Sequence, residues 1–176
     1  NAGKSKDYAF FKWKNKKMPR AVAVEMCKSR KDADIKFGFV PWKVFTKHKY
    51  ILSLAGNTYA SLFKHALRSG SCILRQEERM HEWFEPFLKE WIHYVPVNWE
   101  LDNLFGQLEW AKSHDEEARQ ISIRARVLGE SLFTPEMMAC YTYSTLIKFH
   151  EKLDINFQDD EIVQHFKPIN YVCESK

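Results

Sequence analysis

The sequence predicts an α/β fold, a Rossmann-like and mostly parallel sheet with helices on both faces. Three observations predict it. Short runs rich in β-branched and aromatic residues alternate along the chain with segments of helical periodicity. In "KYILSLAGNTYASLFKHALRSGSCIL" (49–74) one glycine ends a strand-like run and another precedes the next, so a helix connects two strands. The length of 176 residues suffices for one domain with a sizeable core.

The first predicted elements lie in the N-terminal quarter of the chain. A short strand is predicted at "YAFFKW" (8–13), and a helix in "PRAVAVEMCKSR" (19–30), where Pro19 occupies the first turn. The next segment, "ADIKFGFV" (33–40), alternates apolar and polar residues as a half-buried strand does. The chain therefore begins with a strand, a helix and a strand.

Three more strands are predicted at 49–55, 71–74 and 92–97, with a helix over 58–69 between the first two. These runs are short, apolar and bounded by glycine or polar residues. Strands that alternate with helices favour parallel pairing through right-handed crossovers.

The pattern after residue 97 is helical. An apolar stripe in "ELDNLFGQLEWAKSH" (100–114) predicts one helix, and the charged segment 115–130 predicts a second. Thr134 followed by Pro135 is typical of a capped helix start, and this third helix is predicted to run to about residue 153.

Composition excludes several classes of protein. The hydrophobic fraction of 45% and the aromatic fraction of 15% exclude a disordered chain. No run approaches the ~18 apolar residues that a membrane span needs, so no membrane span is expected in this chain. The start, "NAGKSKDY", has neither Met nor the apolar core of a signal peptide, so we expect a processed or cut-out piece. Residues 1–155 are expected to form the domain, and 156–176 a tail that packs on it or leaves it.

Four scattered cysteines and an uneven charge bear on possible partners. No CxxC pair exists, so structural zinc is not expected, while one or two disulfides of unspecified pairing stay open. Residues 1–50 carry 14 Lys or Arg and 4 Asp or Glu, whereas the remainder carries 13 and 19. A basic segment suits a phosphate, a nucleic acid or an acidic domain, and a solvated basic face is the simpler alternative.

The turn at Gly56 is the strongest candidate site. Ligands of such sheets bind at the carboxyl ends of strands, where this turn is expected to lie. A helix beginning near Asn57 or Thr58 would offer unpaired N–H groups to an anion, with Ser61 and Lys64 nearby. The turn lacks the three-glycine phosphate fingerprint, so an ordinary connection with a polar cap is the alternative.

The segment "KWKNKKMPR" (12–20) mixes lysines with a tryptophan. Such mixtures can bind nucleic acid, but a lone segment is a weak signal, and no nucleic-acid partner is predicted. The segment follows a strand and precedes a helix, so it is expected at the same sheet edge as Gly56. Arg20, at the helix start, could make a bidentate contact with a phosphate.

Other polar groups are interpreted as structural. Asp32 and Asp34 form a DxD pattern that occurs freely by chance, and the histidines, among them His93 in a predicted strand, show no ligand spacing. In "QEERMHEWFEPF" (76–87) most of the glutamates, Glu77, Glu78, Glu82 and Glu85, are expected to face solvent, while Trp83, Phe84 and Phe87 pack inward.

A longer pattern of residues is recognisable as a whole. It comprises Lys49-Tyr50, the Gly56 turn with Lys64, Gly70-Ser71, Gln76-Glu77, "EWF" (82–84) with Pro86, "WIHYVPV" (91–97), Glu100-Leu101, "DEEAR" (115–119) and Cys140-Tyr141. In order and spacing it resembles glycosyltransferase family 90, which includes the Rumi-type protein O-glucosyltransferases and the fungal capsule-associated xylosyltransferases. The resemblance covers roughly residues 8–153.

The resemblance implies the C-terminal, donor-binding domain of a two-domain GT-B glycosyltransferase. Such enzymes move glucose or xylose from UDP-glucose or UDP-xylose to a hydroxyl of a protein or glycan acceptor, without a metal or other cofactor. It also implies the lumen of the endoplasmic reticulum or Golgi. The catalytic base belongs to the N-terminal, acceptor-binding domain, so no catalytic residue is predicted in this chain, and the chain alone is not expected to be competent.

The resemblance also implies a set of donor-binding residues. Arg20 stands where the family has an arginine on the diphosphate, and 57–62 stand on the nucleotide cradle. The full predicted set is Lys14, Arg20, Gly56, Asn57, Thr58, Tyr59, Ala60, Ser61, Leu62, Lys64 and Glu77.

Three departures from the family pattern weaken this assignment. Ala60 and Leu62 replace a serine and an arginine that help to bind phosphate, and Trp13-Lys14 replaces a Gly-Ser pair. Lys14, Lys16 or Lys17 could compensate for the lost arginine. A non-catalytic interaction module that kept the fold and lost the donor chemistry is therefore the alternative.

Overall fold

The computed structural model describes residues 19–33, 35, 41–56 and 59–152. It divides into two compact units between Gly129 and Glu130. The predicted strand at 8–13, nearly all of the one at 33–40 and the tail from 156 lie outside the described residues, as does the predicted boundary at residue 155.

Secondary structure alternates through most of the first unit. The strands are β1 (Tyr50–Ser53), β2 (Cys72–Gln76) and β3 (Val95–Val97). The helices are α1 (Pro19–Cys27), α2 (Trp42–Phe45), α3 (Ser61–Leu67), α4 (Leu104–Ser113), α5 (Asp115–Leu132) and α6 (Pro135–Lys152), and Glu85–Phe87 forms a 3-10 turn.

The sheet has the order β1-β2-β3, and both strand pairs are parallel. Ile51 pairs with Ile73, and Leu74 pairs with Val95. Since β1 and β2 are adjacent and parallel, α3 is the crossover between them. All three strands therefore end at the same edge, and the predicted α/β fold is confirmed.

Helices cover both faces of the sheet. On one face, Leu74 and Val97 belong to an apolar core with Ala23 of α1, Ala111 of α4 and Ile121 of α5. On the opposite face, where strand alternation places Arg75, its guanidinium lies 4.2 Å from the ring centre of Phe63 of α3. Every residue of β2 is buried, as expected of a parallel strand between two layers.

Two predicted elements begin several residues later than expected. The helix predicted over 58–69 begins at Ser61, because Ala60 is extended (φ −81°, ψ 93°) and its carbonyl receives the first helical bond, from the Phe63 N–H. The strand predicted over 92–97 begins at Val95. Trp91 has a φ of 61°, and a turn precedes the strand, so His93 lies in that turn rather than in a strand.

The 76–87 segment departs from the prediction at several side chains. The Glu85 side chain is only 16% exposed and pairs with Arg75. Glu78 is buried rather than solvent-facing, and Phe87 is 48% exposed rather than packed inward. Phe84 is buried, as expected, against Phe63, with 6.3 Å between ring centres. Phe87 is the last residue of the 3-10 turn Glu85–Phe87.

The second unit contains α6. The Met137 N–H donates to Thr134 Oγ1 at 3.1 Å, which confirms the predicted cap. Cys140 is disulfide-bonded, whereas Cys27 and Cys72 of the first unit are free thiols. None of the helices in the described part of the chain is both long and apolar enough to cross a membrane.

Candidate functional site

The Gln76 side chain, at the carboxyl end of β2, forms hydrogen bonds with the segments that follow the other two strands. This side chain is fully buried: Oε1 accepts from the Ala55 N–H at 3.0 Å, and Nε2 donates to the Trp99 carbonyl at 2.6 Å. One amide thus links the segment after β1 to the segment after β3. No pattern in the sequence predicts this role, because both partners of the Gln76 side chain are main-chain groups.

Arg20 and Gly56 meet at this edge. A Cβ built on Gly56 would lie 3.2 Å from Arg20 Nη2 and 3.4 Å from the Tyr59 carbonyl oxygen. Gly56 has no positive φ, and the absence of a side chain there leaves room for Arg20 to approach closely. The structure therefore brings together the two residues that the sequence assigned to one edge, with Arg20 exposed in the first turn of α1.

The start of α3 follows the turn. Tyr59 is 40% exposed and Ser61 is exposed, Leu62 and Lys64 are partly buried, and Ala60 is buried. Glu77, which follows β2 at the same edge, is exposed. Lys14, Asn57 and Thr58 lie outside the described residues.

The Ala60 N–H is already engaged by a protein carboxylate. It donates to Glu78 Oε2 at 3.1 Å, and the Glu78 side chain is only 3% exposed. Burial raises the pKa of Glu78 above its usual range, since the charged form is desolvated, while the Ala60 N–H and Arg75 act in the opposite direction.

A buried arginine, Arg75, lies next to the Glu78 carboxylate. The Arg75 guanidinium donates to Glu85 from both terminal nitrogens, with 2.9 Å between Nη1 and Oε2, and its Nε is 4.0 Å from Glu78 Oε1. Its guanidinium also lies over the rings of Phe63 and Tyr94, at 4.2 and 5.2 Å. Arg75 therefore joins β2 to α3 and to the 3-10 turn, and sequence reasoning missed it.

The DxD candidate is partly described. The Asp32 carboxylate contacts Arg30 Nη2 and Lys112 Nζ, each at 2.6 Å, and these cations hold its pKa well below its usual range. Asp34 lies outside the described residues. Within the described ranges, no three His, Cys, Asp or Glu side chains come together as metal ligands would.

Comparison with known proteins gives a consistent result. The family model "Glycosyl transferase family 90" matches residues 10–176. Protein O-glucosyltransferase 3 of Mus musculus is 34% identical over 108 residues, covering 61% of this chain and 22% of that protein. Protein O-glucosyltransferase 2 of Danio rerio is 30% identical over 113 residues, covering 61% and 21%.

A third relative has the same coverage pattern. Protein O-glucosyltransferase 1 of Homo sapiens is 29% identical over 110 residues, covering 62% of this chain and 28% of that protein. The chain thus spans between about a fifth and just over a quarter of the length of these relatives.

Proposed function

Since the chain belongs to glycosyl transferase family 90, we propose that it is the donor-binding part of a glucosyltransferase that uses a UDP-sugar. The names of the relatives, which are protein O-glucosyltransferases, favour UDP-glucose, and UDP-xylose is the second candidate donor. The acceptor is a hydroxyl of a protein or glycan. The three-stranded parallel sheet is consistent with the C-terminal domain of a GT-B enzyme.

The single observation that carries the proposal is the approach of Arg20 to the Gly56 turn. A planar guanidinium suits the bidentate recognition of phosphate oxygens, and a glycine lets the ligand and the backbone come close. Both lie at the carboxyl edge of a parallel sheet, where α/β folds bind nucleotides. The Gly56 turn with Arg20 is the proposed diphosphate site.

In the proposed reaction the bond between the sugar C1 and the UDP β-phosphate oxygen breaks, and a bond from C1 to the acceptor oxygen forms. The departing UDP gains negative charge, which Arg20 stabilises, with Lys14 and Lys64 in supporting roles. The acceptor proton goes to a base in the acceptor-binding domain of the intact protein. No metal is assigned a role, so a chelator is expected to leave the transfer rate unchanged.

Calorimetry with UDP tests the donor site. We expect Arg20→Ala to weaken UDP binding about tenfold to a hundredfold, since a hydrogen bond to a charged group contributes about 1.5–3 kcal/mol. Arg119→Ala is the matched control, because Arg119 is an exposed arginine of α5, paired with Glu116. Equal affinities of the two variants would contradict the proposed site.

A second candidate function is a non-catalytic interaction module. It is favoured by Ala60 and Leu62 at the start of α3, where relatives of this family place phosphate contacts, and by Glu78, which occupies the Ala60 N–H. Absence of binding at millimolar UDP would support this candidate.

The compartment and the competence of the chain are also proposals. The disulfide at Cys140 supports an oxidising compartment such as the lumen of the endoplasmic reticulum or Golgi. We propose that the chain needs the acceptor-binding domain for activity. Sugar transfer by the chain alone would overturn that proposal.

A further inference from the structure

Glu78 links the interior of the domain to the turn that forms the proposed donor site. Its Oε2 accepts from the Ala60 N–H, at the residue that precedes α3. The preceding carbonyl, of Tyr59, lies 3.4 Å from where a Gly56 Cβ would be, and Arg20 Nη2 lies on the same glycine. Glu78 therefore holds the peptide group between Tyr59 and Ala60, whose carbonyl oxygen lies close to Gly56.

The second oxygen of this carboxylate makes only a long ion pair. Glu78 Oε1 is buried and lies 4.0 Å from Arg75 Nε, and no hydrogen bond joins either atom to another described group. Buried polar atoms are nearly always hydrogen-bonded, so a charge on Glu78 is poorly compensated here.

The charges around Glu78 do not balance. Arg75 of β2 is a cation that acts on it, Glu82 and Glu85 of the following segment are anions that act on it, and the segment before α3 contributes the uncharged Ala60 N–H. Arg75 is already committed to Glu85 through two hydrogen bonds. A charged Glu78 therefore adds a buried negative charge next to the start of α3.

We propose that Glu78 is a positioning residue of the donor site: it fixes the segment before α3 through the Ala60 N–H, and a negative charge on it opposes a diphosphate at the Gly56 turn. The charge effect rests on the proposed donor site, whereas the positioning effect does not. Because burial favours the neutral form of Glu78, diphosphate binding is expected to weaken as pH rises.

Two variants separate the two effects. Glu78→Gln keeps an acceptor for the Ala60 N–H and removes the charge, whereas Glu78→Ala removes both. One nearby charge acting through partly solvated protein changes affinity by roughly three- to tenfold. We therefore expect Glu78→Gln to bind UDP more tightly than the natural chain at pH 8 by that factor, with a smaller difference at pH 5. Glu78→Ala is expected to bind more weakly than Glu78→Gln at every pH.

The experiment is calorimetric titration of all three chains with UDP between pH 5 and 8. UDP itself and other groups titrate in this range, but their contribution is common to the natural chain and Glu78→Gln, so the difference isolates Glu78. A natural chain and a Glu78→Gln variant with the same pH dependence would overturn the charge effect. Equal affinities of Glu78→Gln and Glu78→Ala would overturn the positioning effect on binding.

Amide hydrogen exchange at Ala60 is a readout that does not depend on UDP. The amide is expected to be protected in the natural chain and in Glu78→Gln, and to exchange at least about tenfold faster in Glu78→Ala, because the acceptor is lost. Equal exchange in all three would overturn the positioning role. If none of the chains bound UDP, the donor site and the charge effect would both fail, and exchange at Ala60 would still decide the positioning role.

Discussion

The two faces of β2 are built from different chemistry. Cys72 and Leu74 point into an apolar core with α1, α4 and α5, whereas Arg75 points into a layer of aromatic rings and carboxylates under α3. Both faces are buried to a similar degree. The apolar face depends on packing and tolerates substitutions that conserve volume, while the polar face depends on each charge having its partner.

The two faces of β2 also differ in how they hold the parts of the proposed donor site. The apolar face anchors α1, whose first turn carries Arg20, and the polar face holds α3, which follows the Gly56 turn, so each face supports one part of the proposed donor site. An apolar contact has no direction, whereas the two hydrogen bonds from Arg75 to Glu85 and the one from Ala60 to Glu78 specify orientation. The polar face is thus suited to holding a turn in one conformation.

The largest expected effect is on the polar face. Arg75→Met should lower the free energy of unfolding by about 3–5 kcal/mol, because it leaves the buried carboxylate of Glu78 and the partly buried one of Glu85 without their cation. Urea unfolding followed by tryptophan fluorescence measures it. Adding Glu85→Gln to Arg75→Met should recover part of the loss, and a double variant that is no more stable than the single one would contradict this account.

On the apolar face the expected loss arises from a cavity alone. Leu74→Ala should lower the free energy of unfolding by about 2–5 kcal/mol, as buried leucines generally do. Leu74→Met, with nearly the same volume, should cost less than about 1.5 kcal/mol. Affinity for UDP should be almost unchanged in both folded variants. Leu74→Met as damaging as Leu74→Ala would show that this face needs more than packing.

The apolar face was accessible to sequence reasoning and the polar face was not. Short apolar runs predict β1 and β2, and helical periodicity predicts α1 and α4, because a buried strand or helix face leaves such a pattern in the sequence. No pattern points to Arg75, and most glutamates of the 76–87 segment are predicted to face solvent, because an isolated charged residue most often lies on the surface. The burial of Arg75 depends on Glu85, ten residues away in the sequence. The burial of Glu78 depends on the main-chain N–H of Ala60, which no side-chain pattern reveals.

Some parts of the candidate site follow from the sequence and others do not. Arg20 and Gly56 were assigned to one edge because parallel strands align their carboxyl ends, and the structure does bring them together. The start of α3 was placed too early, since propensity does not reveal that Ala60 is extended. The role of Gln76 could not be foreseen, because its two partners, Ala55 and Trp99, are main-chain groups from different connections.

The contact between the end of α3 and α5 offers a test of packing with a smaller expected effect. A Cβ on Gly129 of α5 would lie 2.9 Å from Leu67 Cβ and 3.1 Å from Arg68 Cγ, so Gly129→Ala forces α3 and α5 apart. Overpacking of this kind costs about 1–3 kcal/mol, less whatever alanine gains as the better helix former. Gly106→Ala in α4 is the matched control, because no atom lies within 4 Å of its Cβ position. Equal thermal shifts for both variants would contradict a tight α3–α5 contact.

The smallest expected effect is the pH dependence that Glu78 gives to stability. Its pKa is raised on folding, so between its ordinary value and the raised value the folded chain binds more protons than the unfolded one. The contribution of Glu78 to stability is therefore fully present below the ordinary pKa of a glutamate, and it is lost as pH rises through the raised value.

The measurement must separate Glu78 from other carboxylates. Asp32 and Glu109, whose pKa values are lowered by their cations, act in the opposite direction, so the total free energy of unfolding does not isolate Glu78. The difference between the natural chain and Glu78→Gln removes them: the stability of Glu78→Gln relative to the natural chain should increase from pH 5 to pH 8. A difference that is constant over this range would mean that Glu78 keeps an ordinary pKa, and that the polar face accommodates its charge as easily as water does.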